Sequence, residues 1–147
     1  MLFRSQGLDD IERDVSVDVK GRAPNFARRE QDLLSVAVTP ELRLTPLYAS
    51  LSERNHDVRI LSSPDRQDTF SVKLPAGYRV VGAPPNVTIS SKFGTCSIQT
   101  ETNSGKISVV TSITLSAKRI VPTEYPAFRK FCADADRALE PRLQMGR

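Results

Sequence analysis

His56 is the only histidine in the chain, so any metal site or base-assisted nucleophile that needs an imidazole must be built on it. It stands beside Asp57 at the head of a short β-like stretch, with Ser50 and Ser52 a few residues upstream. A hydrolytic triad needs three groups converging in one cleft, and nothing in this spacing brings them together. His56 therefore reads as an ordinary surface histidine. The two sulfur nucleophiles are Cys96 and Cys132. Both fall on apolar faces, which disfavours the thiolate that catalysis would require and makes each a small core-packing residue. Whether they form a disulfide is left open by the sequence, because their Cα atoms would have to come within about 7 Å. The carboxylates Asp9, Asp10 and Glu12, and later Asp134 and Asp136, are the remaining candidates for a metal site. Neither group has calcium-loop spacing or loop glycines, and on a helix Asp134 and Asp136 lie about 200° apart, so both groups read as solvated faces. No two glycines lie at phosphate-loop spacing between a strand and a helix. No catalytic, cofactor-binding or metal-binding residue is assigned, and no cofactor is expected.

The elements around these residues are mostly strands. Thr95 to Thr102 and Ile107 to Leu115 both alternate, and Asn103-Ser104-Gly105-Lys106 between them has the composition of a tight hairpin turn. Pairing Thr102 with Ile107 sets Ile98 against Thr111 and Cys96 against Ile113, with the apolar side chains on one face. A slip of one residue would send Cys96 and Ile98 to the opposite side, so the pattern determines the register. Earlier, Ile11 to Lys20 alternates through Val15, Val17 and Val19, and reads as a strand with one wet face. Arg22 to Asp32 reads as a long connection that Phe26 pins to the core. Leu33 to Val38 is a strand stopped by Thr39-Pro40, while Pro46 makes Leu42 to Leu51 an edge or an irregular crossing. Short strands follow at His56 to Leu61, Asp68 to Leu74, Tyr78 to Val81 and Val87 to Ile89, separated by Ser-Pro-Asp, Pro-Ala-Gly and Pro-Pro turns.

The period changes near the end. Tyr125, Phe128, Cys132, Ala135 and Leu139 fall on one helical face, with Phe131 beside them and Arg129, Lys130 and Arg137 turned outward. Thr123 suits the N-cap, Glu124 and Pro126 suit the first turn, and Pro141 ends the helix. The expected fold is a mostly β, antiparallel β-sandwich with one C-terminal amphipathic α-helix at about residues 123–140.

With 147 residues, 39% hydrophobic and 26% charged, the chain suits one domain spanning residues 1–147. Its ten prolines against seven glycines favour many short elements. Net charge is +4, largely from arginine, but the basic residues are scattered along the sequence and not interleaved with aromatics. No nucleic-acid partner is expected; the charge reads first as a solvated, mildly basic surface, and after that as attraction to an acidic partner domain or an anionic envelope polymer. No apolar run reaches membrane-spanning length, and no signal-peptide core follows Met1. The abrupt start leads us to expect a C-terminal piece of a larger protein whose export signal lies upstream.

Several segments, in order, carry a resemblance from about Leu33 onward. They are Arg43-Leu44-Thr45-Pro46-Leu47, Leu74-Pro75-Ala76-Gly77-Tyr78 with the Gly82-Ala83-Pro84-Pro85 link, Phe93-Gly94, and Ile120 to Arg129. Together they resemble the C-terminal β domain, of unknown function, of bacterial transglutaminase-like envelope proteins. Such proteins join an N-terminal β domain, a papain-like core with a Cys-His-Asp set, and this C-terminal domain. The core has no counterpart here, so none of its catalytic residues carries over to this sequence. The resemblance implies a non-catalytic accessory domain in the periplasm or cell envelope, docking on a transglutaminase-like core in cis or in trans. Arg129, Lys130 and Arg137 are then the partner-facing candidates. The alternative is a free-standing binding module for an envelope peptide or glycan; a small hydrolase using His56 and a serine ranks below both.

Overall fold

Short alternating segments, broken by prolines and turn residues, become strands in the structure, a computed structural model that describes residues 2–7, 12, 15–103 and 105–147. In chain order the elements are β1 (Leu2–Gln6), β2 (Ser16–Lys20), β3 (Arg28–Glu30), β4 (Leu33–Val36), α1 (Leu44–Tyr48), β5 (Val58–Arg59) and β6 (Asp65–Lys73). They continue with β7 (Arg79–Gly82), β8 (Val87–Ser91), β9 (Gly94–Asn103), β10 (Lys106–Leu115), β11 (Arg119–Ile120), α2 (Tyr125–Ala138) and β12 (Leu143–Gly146).

Two four-stranded antiparallel sheets form the body of the fold, in the orders β6-β10-β9-β8 and β3-β4-β12-β7. The β9–β10 hairpin has the expected register, with Thr102 opposite Ile107, Ile98 opposite Thr111 and Cys96 opposite Ile113. Its inward side chains Cys96, Ile98, Ile107 and Ile113 are fully buried. Gly94 opens the hairpin at a point where only glycine fits, since a Cβ there would lie 2.1 Å from the Thr114 carbonyl oxygen. One apolar cluster runs from Val36 and Met145 in the second sheet, through this hairpin, to Phe128, Cys132 and Ala135 of α2. Phe93 meets Phe128 edge to face at 5.4 Å, locking the hairpin mouth to the helix. The result is sandwich-like, mostly β and antiparallel.

Four expectations need correction. Leu42 to Leu51 is neither an edge strand nor wholly an irregular crossing: it contains α1, whose first turn accommodates Pro46 because a first-turn N–H has no helical acceptor. There are thus two helices where one was expected. Thr123 does not cap α2; the turn at Val121 winds directly into it, the N–H groups of Glu124 and Tyr125 both donating to the Val121 carbonyl, and no side chain caps this N-terminal end. Arg22 to Asp32 is not only a connection, because β3 pairs with β4 through a two-residue turn in which Gln31 takes φ 54°. Residues beyond Pro141 carry β12, which lies between β4 and β7.

The N-terminal strand is β2, paired with β1, and Phe3, Val17 and Val19 share one face that stays exposed. Ile11, at the start of that expected strand, and Ser104 of the hairpin turn lie outside the described residues. Phe26 is not a core residue: it stacks on Phe70 at 6.4 Å and remains 57% exposed.

Candidate functional site

The residues with chemical potential are held apart by the fold. His56 lies exposed between α1 and β5, and no hydrogen bond or ion pair joins it to Ser50, Ser52 or Asp57. Asp57 instead pairs with Arg119 across the β5–β11 ladder, at 2.5 Å. Cys96 projects from β9 and Cys132 from α2 into the same core, and both are free, fully buried thiols. Burial, and then the nearby Asp136 charge, pushes Cys96 up to about 11 and Cys132 up to about 12. Neither is a nucleophile near neutral pH. Among the described residues no three His, Cys, Asp or Glu side chains are grouped to hold a metal ion. Asp9 and Asp10 lie outside the described residues.

Asp134 and Asp136 behave differently from each other. Asp134 is the solvated carboxylate expected: Lys130 donates to it at 2.5 Å and Arg137 at 3.2 Å, and the Lys130 hydrogen bond holds its carboxyl below the ordinary range. Asp136 is not on a solvated face. Its Oδ1 accepts the Leu44 N–H at 2.6 Å and its Oδ2 the Thr45 N–H at 2.9 Å, so it supplies from α2 the N-terminal cap that α1 lacks in its own sequence.

The reciprocal bonds close the other helix end. The Leu139 carbonyl, at the C-cap of α2, accepts the Thr39 hydroxyl at 2.7 Å and the Arg43 guanidinium at 3.5 Å. Tyr125, at the start of α2, donates its hydroxyl to the Leu51 carbonyl at 2.7 Å. The segment from Thr39 to Leu51 is thereby clasped along the length of α2.

Of the partner-facing candidates, Arg129, Lys130 and Arg137 are all exposed on the outer side of α2. Lys130 and Arg137 share Asp134, which neutralises part of their charge, whereas Arg129 has no ion-pair partner among the described residues. Sequence reading missed Asp136, because a cap that spans more than ninety positions leaves no local signature. The nearest signal was its carboxylate on the edge of an otherwise apolar helical stripe.

Residues 32–143 match the family described as "Domain of Unknown Function with solved-structure structure (DUF3858)". The chain belongs to this family. In structure it is similar to a protein of Parabacteroides distasonis described as a "putative protease", with a TM-score of 0.63 and 18% identity over 80% of this chain. That likeness covers 24% of the other chain, so the present sequence spans about a quarter of its length. No curated protein matches the chain.

Within this DUF3858 fold, the segments that carry the sequence resemblance are scaffold. Arg43 to Leu47 is the clasp on α2. Leu74 to Tyr78 is a turn, with Gly77 at φ 79° and the Tyr78 N–H returning to the Pro75 carbonyl. Phe93-Gly94 is the tight mouth of the hairpin, and Ile120 to Arg129 delivers the chain into α2.

Proposed function

We propose that the chain is a non-catalytic accessory domain of a transglutaminase-like protein in the periplasm or cell envelope, docking on a papain-like catalytic core supplied in cis or in trans. It rests on one observation: the fold recurs as 24% of a much longer protein whose description is that of a protease, a word compatible with a papain-like core. The condition of the chain's own reactive groups agrees with that reading. Its cysteines are raised far above neutral pH by burial, and its histidine has no hydrogen bond or ion pair to Ser50, Ser52 or Asp57. A rigid β body, with exposed cations on the outer side of α2, suits docking better than turnover.

The test is to incubate the purified chain with glutaminyl and lysyl peptides and with generic ester and amide substrates. No turnover is expected. Turnover that disappears in the His56→Ala variant would overturn the non-catalytic reading and favour a small hydrolase.

A further inference from the structure

Residues paired across a sheet share a face, and this assigns the two sides of the β3-β4-β12-β7 sheet. Leu34, Met145 and Val80 align and enter the core. Arg28, Glu30, Leu33, Ser35, Gly146 and Arg79 belong to the opposite, outward side. Five arginines, at positions 28, 29, 79, 142 and 147, and two carboxylates, Glu30 and Asp32, lie on this sheet and its ends. That is a net +3 on the sheet and its ends, with Arg28 and Arg79 on the outward side and Arg29, opposite Leu34, on the other. Sequence order hides the concentration, because the strands come from three distant segments.

A cleft of about 400 Å³ opens at the end of the sheet, where Leu33, Val81 and Gly146 meet Arg29, Asp32, Tyr78 and Arg147. Leu33 and Val81 supply its aliphatic side chains. They close over Gly146, which is itself buried, so that a Cβ on Gly146 would meet them at 3.1 and 3.4 Å. Arg147 stacks its guanidinium over the Tyr78 ring, 5.5 Å from the centroid, which leaves its N–H edge free to bind. Neither Arg29 nor Arg147 forms an ion pair among the described residues, although Asp32 borders the same cleft.

We infer that this cleft is a docking site for an extended peptide segment that carries separated carboxylates around an aliphatic side chain. The two guanidinium groups pair with the carboxylates, and the aliphatic side chain covers Leu33 and Val81. β7 borders the cleft as an edge strand, so an extended segment also finds backbone donors and acceptors there. A uniformly charged polyanion fits worse, because Glu30 and Asp32 would repel it. A nucleic acid lacks a stacking platform, since Arg147 already covers the Tyr78 ring. The inference stands whether or not the partner is a transglutaminase-like core.

The probe is a fluorescently labelled Ser-Glu-Leu-Glu-Val-Glu-Ser peptide, titrated with the full 147-residue chain and followed by anisotropy. Saturable binding is expected at about 0.05 M salt, weakened at least about tenfold at about 0.5 M. The double variant Arg29→Glu/Arg147→Glu, with unchanged circular dichroism, should lose at least about tenfold in affinity. Lys106→Glu, in the other four-stranded sheet and not lining the cleft, should leave binding as it was. Both substituted arginines are exposed; if the double variant nonetheless unfolds, Val81→Asp, which places a like charge in the cleft, should cause the same loss. An absence of saturable binding, an equal loss in Lys106→Glu, or tighter binding to heparin than to the peptide would each overturn the inference.

Discussion

The Leu44 N–H donates to Asp136 Oδ1 at 2.6 Å, so a carboxylate in the last turn of α2 caps the first turn of α1. α1 spans only Leu44–Tyr48 and has no capping side chain of its own. A helix so short does not persist in water by itself. Asp136→Ala strands two backbone donors, those of Leu44 and Thr45, and should cost about 2–3 kcal/mol in urea denaturation. Asp136→Asn keeps one acceptor oxygen and should cost less. Equal stability of the wild type and Asp136→Ala would show that the clasp contributes nothing.

The two faces of β10 should differ sharply in mutational cost. Ile113 is fully buried opposite Cys96, and Ile113→Ala should lose about 2–5 kcal/mol. Thr114, on the other face, bonds only the exposed Asp65, and Thr114→Ala should fall within about 0.5 kcal/mol of wild type. Chemical denaturation of the two variants decides, and equal losses would mean that the faces are wrongly assigned.

Gly94→Ala forces a methyl group against the Thr114 carbonyl, a backbone atom that cannot swing aside. The loss should be at least about 2 kcal/mol, measured as a lowered denaturation midpoint. Gly146→Ala meets only the ends of the Leu33 and Val81 side chains, which can shift, and should cost less.

Cys96 and Cys132 are raised in the folded chain to about 11 and about 12, from about 8.5 when unfolded. Because folding favours the neutral thiols, their contribution to stability is complete below the unfolded value and is lost as pH climbs through the folded values. Stability should therefore fall between about pH 9 and pH 12, and a Cys96→Ala/Cys132→Ala variant should show a shallower fall. At pH 8 a thiol reagent should label the unfolded chain quickly and the native chain very slowly; fast native labelling would contradict the burial.

How much was legible follows from how local each signal is. The hairpin register and the α2 stripe were readable because alternation and helical periodicity lie within one contiguous segment. β12 was not, because four residues after Pro141 have no period of their own and become a strand only by lying between β4 and β7. Pro46 was misread for a related reason: it forbids a central strand but is equally at home in a first helical turn, and Asp136, the residue that decides, is remote in sequence. Of the candidate site, the outward placement of Arg129, Lys130 and Arg137 was legible. The pairing of Lys130 and Arg137 with Asp134 followed from spacing of four and three residues and could have been read. The gathering of arginines at the β3-β4-β12-β7 sheet could not, since strand order in that sheet is not written in any one segment.

The accessory role is tested most directly by calorimetric titration of the chain into a transglutaminase-like catalytic core encoded beside it, at low and at high salt. Saturable binding is predicted at low salt, weakened as salt rises, and reduced by Arg129→Glu, since Arg129 is the α2 cation without an ion pair among the described residues. No binding at any salt, together with measurable affinity for a peptidoglycan peptide or glycan, would contradict that role and make the chain an independent binding module.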